Sequence, residues 1–351
     1  MSVDTKKRLF QWYNSVMKKM SNTALNKIGD IVRQGKDSPK YDEAIEELNI
    51  WRESHGKLMD EYYDKCVKLT KTESTKNILV AQRLKRLPTI IDKLNRFKNM
   101  SLSRMQDIAG VRIIVKDMDQ LLQIENRIKK WRHLDRQPIN YIDKPKDDGY
   151  RSKHFIFKKD GMFVEIQLRT QLQHAWATSV ETVDIFRGSS MKTGKEQTYW
   201  YEFFKQASSA FAIVEGTPPI SEYTNTSLSE MCNIIEASMA QHKIGQSLQA
   251  IEISKRAKDI ANTVRGAYYL VLDLDFVKKI CKISSFKEND YNLAVEHYQK
   301  LEQTIKKNNS IVLVSVNDIN SLDNAYPNYF LNLRYFNDSI KYLLEKNHKK
   351  G

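Results

Sequence analysis

Two carboxylates stand where neighbouring strands of a sheet would bring them together. Glu165 lies in MFVEIQLRT, whose alternation places Glu165, Gln167 and Arg169 on one strand face. Asp107 stands immediately before IAGVRIIV, a β-branched run that also predicts a strand. If helices cover that face, Glu165 suits a general base, and the two carboxylates suit one shared Mg²⁺. If water covers it, the segment is an ordinary half-buried strand.

Basic residues are concentrated between positions 83 and 98, where Asp92 is the one acid. The bases are Arg83, Lys85, Arg86, Lys93, Arg96 and Lys98. Their density costs repulsion unless an anion lies against them. If Arg83 and Lys85 project from the end of a helix, they would clamp a triphosphate, the Arg by bidentate contacts and the Lys as a point charge. A solvated basic face is the alternative.

A predicted turn at Asp148-Gly149-Tyr150 presents an aromatic ring among basic residues. A nucleotide base would stack on such a ring. His154 follows four residues later, and on a strand it would share the side of Tyr150 and contact a phosphate or a ribose. Alternatively, Tyr150 packs within the turn and His154 is a structural strand histidine.

The 351 residues carry a net charge of +14, of which residues 221–351 contribute +2 and residues 1–220 the remaining +12. This excess attracts polyphosphates and RNA alike, although solvated lysines would give the same count. No apolar run is long enough to span a membrane, and the N-terminus lacks the apolar core of a secretion signal. We therefore expect a cytoplasmic protein with no membrane partner.

Cysteine and histidine offer no metal-ligand spacing. Cys66, Cys232 and Cys281 are far apart, and the seven histidines are scattered. We expect reduced thiols and no zinc site of the Cys/His kind. Any metal is therefore expected to have oxygen ligands.

The elements that position these residues are predicted from periodicity. Helices are predicted over residues 5–35, 40–80 and, with a start signal at Pro88, 80–100. A sheet begins at residue 108, with strands IAGVRIIV and FVEIQLRT, an intervening helix LLQIENRIKKWRHL and a hairpin HFIFKKDGMFVEIQL. Residues 171–215 return to helix.

The breaker GTPPISEYTNTS at 216–227 predicts a domain boundary. Beyond it the pattern predicts a small α/β domain. Its elements are a helix at 228–263, the strand YYLVLDLD, a helix near 289–307, the strand SIVLVSV and a last helix to Leu344.

Four separated motifs resemble, in order, those of the RelA/SpoT alarmone synthetase family. They are RLKRLPTIIDKL, SLSRMQDIAGVRIIV, YIDKPKDDGYRSKH and VEIQLRTQLQHAWATSVE. The resemblance covers residues 75–215 and implies an α+β fold, a mixed sheet flanked by helices, with the small C-terminal α/β domain in addition. It implies three units, a helical cover at 1–74, a synthetase domain at 75–215 and a regulatory domain at 228–351.

The resemblance implies transfer of the β,γ-pyrophosphate of ATP to a nucleotide 3′-hydroxyl with Mg²⁺ as cofactor. Arg83 and Lys85 match the residues that contact the ATP phosphates, with Thr89 and Lys93 around the ATP. Asp107 matches the Mg²⁺ carboxylate.

On the acceptor side, Tyr150 matches the ring that stacks on the acceptor base, and His154 lies beside the acceptor's phosphates. Glu165 matches the acid that assists Mg²⁺ and activates the 3′-hydroxyl, with Gln167 and Arg169 on its strand. A basic clamp, two carboxylates and a stacking ring suffice, because this chemistry depends on positioning and charge neutralisation.

The chain departs from the long family members at 137–140, where Gln-Pro-Ile-Asn replaces an R-x-K-D or E-x-D-D type motif. This departure resembles toxic small synthetases that modify the 3′-CCA end of tRNA. We therefore expect tRNA as the acceptor. The alternatives are a guanine or adenine nucleotide and, outside catalysis, an RNA-binding module with a degenerate site.

The C-terminal part resembles the fused toxin-antitoxin synthetases of the CapRel type, which act in phage defence. In those proteins a metal-free pseudo-zinc-finger domain covers the active site through a Y-x-x-Y motif, and a phage capsid protein relieves the inhibition. Tyr326 and Tyr329 fit that motif. The resemblance implies an autoinhibitory role for them, whereas the alternative is that two tyrosines pack a small core.

Overall fold

The computed structural model describes residues 21–70, 78–187, 199–242, 244–245, 248, 268–275, 280–304, 309–316 and 333–349. The helices in this part of the chain are α1 (Asn22–Gln34), α2 (Tyr41–Ser54), α3 (Gly56–Leu69), α4 (Leu87–Arg96), α5 (Met118–Ile128), α6 (Gln171–Arg187), α7 (Tyr199–Val214), α8 (Leu228–His242), α9 (Tyr291–Gln303) and α10 (Arg334–His348). The strands are β1 (Leu79–Leu84), β2 (Ala109–Val115), β3 (Ile139–Asn140), β4 (Lys153–Lys159), β5 (Met162–Thr170), β6 (Tyr269–Asp275), β7 (Ile280–Phe286) and β8 (Asn309–Val316).

The strands form one mixed sheet in the order β3-β4-β5-β2-β1-β8-β6-β7. β2 and β5 run parallel, and α5 lies on the connection between them, whereas the other pairs are antiparallel. The predicted α+β class, a mixed sheet flanked by helices, is confirmed.

One face of the sheet is an apolar core covered by α3 and α5. The predicted alternation is confirmed, because Val164, Ile166 and Leu168 of β5 are fully buried there. Tyr62 of α3 packs on Phe157 of β4 with ring centroids 4.8 Å apart. Fully burying an aliphatic or aromatic side chain of this size stabilises the fold by about 1.5–3 kcal/mol.

Two polar side chains of that face receive partners from the covering helices. Gln82 donates to the carboxylate of Asp60 on α3 at 2.7 Å, and Lys153 forms an ion pair with Glu125 on α5. Buried polar groups need such partners, because an unmade hydrogen bond there costs about 1–3 kcal/mol. These pairs fix the strand registers against both helices.

Two further cores flank the sheet. α1, α2 and α4 share one, with Val32, Leu48 and Leu94 buried in it. Arg33 of α1 also donates to the carbonyl of Leu94 at 3.1 Å and so ties down the end of α4. The other core joins α6, α7, α8 and α10 around aromatic side chains, including Phe204 and Phe336.

The prediction of helix over residues 80–100 is wrong for its first part. Residues 79–84 form β1, and α4 begins only at Leu87, with Pro88 in its first turn as predicted. β1 pairs with β2 along its whole length and with β8 on its other edge. Hydrogen bonding from both sides outweighs the helical spacing of the apolar residues.

Most other predicted elements are confirmed within the described residues. The strands at 109–115 and 162–170, the helix between them and the two helices of 171–215 are present. The hairpin turns at Asp160 and Gly161, whose φ angles of 52° and 80° suit a two-residue turn. The strands β3 and β7 are not predicted from the sequence. The single helix predicted over residues 40–80 is two helices, α2 and α3, which meet at His55.

The C-terminal strands continue the same sheet, since β8 pairs with β1 at Gln82–Ser315 and Ala81–Val316. The division into units 1–74, 75–215 and 228–351 stays a prediction. Among the described helices, none has the length and apolar character needed to cross a bilayer.

We predict that Gly149→Ala destabilises the protein more than Gly161→Ala. Both glycines have positive φ, 93° and 80°. A Cβ at Gly149 would lie 2.9 Å from the Cβ of Ser208, whereas at Gly161 it would meet nothing within 4 Å. Backbone strain alone costs about 1–2 kcal/mol, and overpacking adds about 1–3 kcal/mol. Urea denaturation measures both losses, and equal losses would contradict the packing argument.

Candidate active site

Asp107 lies between two lysines. Its Oδ2 accepts a hydrogen bond from Lys85 at 2.9 Å, and its Oδ1 accepts one from Lys93 at 3.0 Å. Lys85 follows the end of β1, Lys93 lies on α4, and Asp107 precedes β2. Three separate elements thus converge on one carboxylate.

Charge dominates this cluster. Burial alone would raise the pKa of Asp107, but Lys85 and Lys93 outweigh it and lower the pKa from 3.8 to about 2. Burial lowers the pKa of Lys85, and Asp107 opposes that shift. The cluster therefore holds an ionised carboxylate, with a positive charge on either side of it.

Glu165 belongs to a second hydrogen-bonded network, on β5. Its Oε1 lies 2.8 Å from Nδ1 of His154, and its Oε2 accepts from Gln167 at 2.7 Å. Burial alone would raise the pKa of Glu165, but His154 and the amide of Gln167 outweigh it and lower the pKa. The charge of Asp107 acts in the opposite direction, so each carboxylate is within the electrostatic range of the other.

The network continues to an aromatic group. Nε2 of His154 lies 2.8 Å from the hydroxyl of Tyr150, and Arg169 donates to that hydroxyl at 2.6 Å. The Tyr141 ring meets Tyr150 edge to face, with centroids 5.8 Å apart. Lys146 lies over both rings, 4.8 Å from the centroid of Tyr141 and 5.0 Å from that of Tyr150.

Strand pairing explains how these side chains share one face. In the parallel pair, Gly110 is opposite Glu165 and Arg112 is opposite Gln167, while Arg83 is opposite Gly110 across β1 and β2. Because Gly110 has no side chain, the face is open between Arg83 and Glu165. Arg83 on β1 and Glu165 on β5 thus stand on either side of this open position.

The structure brings together most of the predicted site residues in two adjoining groups. Asp107, Lys85 and Lys93 form the first, and Glu165, His154, Tyr150, Gln167 and Arg169 form the second. Thr89 lies on α4, one turn before Lys93. We expected Arg83 and Lys85 to project from the end of a helix. Instead they lie at the end of β1, because this segment pairs with β2 and β8 in the sheet.

Two residues of the site were missed. Arg112 could have been found from the alternation of β2, which places it two residues after Gly110 on the same face. Tyr141 carried no periodic signal. Asn140 places it, because its side chain accepts from the backbone amide of Ile142 and bends the chain there.

The carboxylates suit a magnesium ion. Within the described residues no group of three or more His, Cys, Asp and Glu side chains would hold a metal. Magnesium needs only one or two carboxylates, because water and substrate phosphates complete its coordination. Asp107 and Glu165 repel each other, and a divalent cation would relieve that repulsion.

The predicted autoinhibitory pair, Tyr326 and Tyr329, lies outside the described residues.

Comparison with known proteins identifies the region that holds this site. Residues 82–184 match the family described as "Region found in RelA / SpoT proteins". All the catalytic and nucleotide-binding residues predicted from sequence lie in that range. The segment that forms the site is therefore similar to a region found in RelA/SpoT proteins.

Among its relatives, an uncharacterised protein of Mycobacterium tuberculosis is 33% identical over 165 residues, which are 46% of this chain and 58% of that protein. A GTP pyrophosphokinase of Haemophilus influenzae is 30% identical over 104 residues, which are 29% of this chain and 14% of that enzyme. The chain thus spans about half, or less, of the length of these relatives.

Solved structures of small alarmone synthetases are also similar. Synthetase 1 of Bacillus subtilis, bound to its product pppGpp, gives a TM-score of 0.39 at 23% identity, covering 46% of this chain and 89% of that one. A GTP pyrophosphokinase family protein of Streptococcus pneumoniae gives a TM-score of 0.40 at 22% identity. The match covers 54% of this chain and 96% of that one.

We predict that Asp107→Asn removes a pH-dependent part of the stability. A carboxyl whose folded pKa is lowered stabilises the protein above its unfolded pKa and loses that contribution as the pH falls towards its folded pKa. For Asp107 this window runs from pH 3.8 to about 2 and is worth about 2 kcal/mol. Chemical denaturation from pH 5 downwards should show wild type losing more stability than the variant, and parallel curves would contradict the prediction.

Proposed function

We propose that this chain is an ATP-dependent pyrophosphokinase, which transfers the β,γ-pyrophosphate of Mg-ATP to a nucleotide 3′-hydroxyl. The observation that carries the proposal is the pairing of Asp107 with two lysines beside the network of Glu165, inside the segment that matches RelA/SpoT proteins. Phosphoryl-type transfer depends on positioning and charge neutralisation, and these two groups supply both.

The donor side would be the cationic group. Arg83, Lys85 and Lys93 would contact the triphosphate, and Thr89 lies on the same helix as Lys93. Both lysines are paired with Asp107. ATP would draw them towards its phosphates, and Asp107 would then hold Mg²⁺ together with Glu165. When bound, the ion neutralises charge on the transferred group.

The acceptor side would be the aromatic group. A base stacks on Tyr150, whose ring is held by Arg169 and His154. The lowered pKa of Glu165 leaves it ionised at neutral pH, so it accepts a hydrogen bond from the 3′-hydroxyl. The 3′-oxygen then bonds to the β-phosphorus of ATP. The bond that breaks joins the β-phosphorus to the oxygen that bridges the α- and β-phosphorus atoms. AMP leaves with the electron pair, and the hydroxyl proton passes to Glu165.

For the acceptor we favour the 3′ end of tRNA. After α5, the chain runs along β4. The backbone amide of Asp135 donates to the carbonyl of Ile156, and that of Lys158 donates to the carbonyl of His133. The chain then pairs with β4 as β3, just before Tyr141. Arg127, in the last turn of α5, is exposed, and so are Lys130 and Arg132 on this path. A cationic path that leads to the stacking ring suits a polynucleotide backbone. The alternative is a free guanine or adenine nucleotide, and relatives named GTP pyrophosphokinase favour guanine.

The regulatory part of the proposal rests on the sequence alone. We propose a translation-inhibiting toxin with a fused inhibitory C-terminal part, in which Tyr326 and Tyr329 compete with ATP and a phage capsid protein acts as trigger.

We predict that Glu165→Gln lowers transfer at least about 100-fold, because the 3′-hydroxyl loses its proton acceptor and Mg²⁺ loses one of its two carboxylates. The measurement is transfer of label from γ-³²P-ATP to GDP, GTP, AMP and deacylated tRNA offered in parallel. Glu61→Gln is the matched control, since it makes the same change on the opposite, α3 side. Full transfer by Glu165→Gln would contradict the assignment. No transfer to any acceptor, either by wild type or by Tyr326→Ala with Tyr329→Ala, would favour an RNA-binding module.

We predict that Lys130→Ala with Arg132→Ala lowers labelling of tRNA about tenfold and leaves labelling of GDP unchanged. With two fewer phosphate contacts, the slope of the logarithm of the tRNA binding constant against the logarithm of the salt concentration should also become shallower by roughly two. The control is Lys57→Ala with Lys68→Ala, two exposed lysines of α3. Equal labelling of tRNA by both double variants would contradict this path.

A further inference from the structure

A buried arginine lies behind the cationic group. Arg52, on α2, is 2% exposed. Its Nη1 lies 3.4 Å from the backbone carbonyl of Lys85 and 3.1 Å from the hydroxyl of Tyr298 on α9. Its Nη2 forms an ion pair with Glu302, also on α9, at 3.8 Å. One guanidinium thus joins three elements that are far apart in the sequence.

α9 supplies the groups that allow this charge to be buried. Tyr298 donates to Glu302, and its ring lies under the guanidinium, 4.8 Å from its carbon. Gln299 donates to Glu53, the neighbour of Arg52. Burial alone would lower the pKa of Arg52, but Tyr298, Glu302 and Glu53 outweigh it and raise the pKa above its usual value.

The same surroundings reach the next residue of the clamp segment. Arg86 follows Lys85 and stands at the residue before α4, the helix that carries Lys93. Burial lowers the pKa of Arg86 to about 10, with Arg83 adding to that shift and Glu181, Tyr298 and Glu302 opposing it. The carboxylate of Glu302 and the hydroxyl of Tyr298 therefore act electrostatically on both Arg52 and Arg86.

Arg52 suits this task better than a lysine would. The guanidinium presents donors in a fixed plane and reaches the carbonyl of Lys85, the hydroxyl and the carboxylate together, whereas an ammonium is a single point charge. A hydrogen bond from a charged donor is stronger than a neutral one, so it restrains the backbone at Lys85.

We propose that Arg52 is a positioning residue for the ATP clamp, and that Tyr298 and Glu302 of α9 hold it in place. The inference rests on the proposed function, because it takes Lys85 as a contact of the ATP phosphates. It assigns the C-terminal part of the chain a supporting role in catalysis. ATP affinity then depends on α9.

The test uses the full chain with Arg52→Met and Glu302→Gln together. Replacing both charges avoids leaving either one buried alone, which would unfold a single variant. Tyr298→Phe is the milder second variant, since it removes the hydroxyl and keeps the ring. Lys300→Ala is the control, because Lys300 lies on the exposed side of α9, where its ammonium pairs with Glu296 at 3.1 Å.

The expected result is a rise of about tenfold in the KM for ATP with an unchanged KM for the acceptor. The Kd of a non-hydrolysable ATP analogue, measured by calorimetry, should rise by the same factor. A merely structural role would lower the active fraction, and hence kcat, and leave both KM values alone. An unchanged KM and Kd for ATP in the folded double variant would overturn the proposal.

The two proposals fail in different ways. If wild type transfers label and the double variant binds ATP equally well, the role of Arg52 is wrong and the pyrophosphokinase stands. If wild type and Tyr326→Ala with Tyr329→Ala both bind the analogue and transfer nothing, the proposed reaction is wrong, and the calorimetric comparison still decides the role of Arg52.

Discussion

The parallel pairing of β2 with β5 is the constraint on which the rest of the site depends. It places Gly110 opposite Glu165 and Arg112 opposite Gln167, while Asp107 stands just before the start of β2. A shift of one residue in this register would turn Glu165 into the apolar core. Such a shift would also expose Ile166 to the polar face. Burial of the apolar face of β5 therefore fixes the position of Glu165 on the polar face.

The charged groups are arranged so that each is compensated by one on another element. Asp107 is paired with one lysine that follows β1 and with another on α4, and Glu165 is paired with His154 of β4. Removing water strengthens these attractions, and it also makes any unpaired charge costly. The polar face is therefore held in shape by the same interactions that a phosphate ligand would exchange for its own.

The sequence predicts the strands of the site well, because β5 alternates strictly and β2 is a β-branched run. The position of Arg83 was predicted wrongly, since VAQRL satisfies helical spacing and only pairing with β2 and β8 makes it a strand. The approach of Tyr141 to Tyr150 depends on a turn capped by Asn140. Contacts of Arg52 with α9 join segments far apart in the chain, and no local pattern marks them.

The position of β8 against β1 has a consequence for the order in which the protein is completed. β1 carries Arg83 at its end, yet its outer edge is covered by β8, which leaves the ribosome long after β1. Until then that edge presents unpaired backbone groups, and pairing over such a sequence distance is slow. A nascent chain that has already made every predicted catalytic residue is therefore still an unfinished sheet.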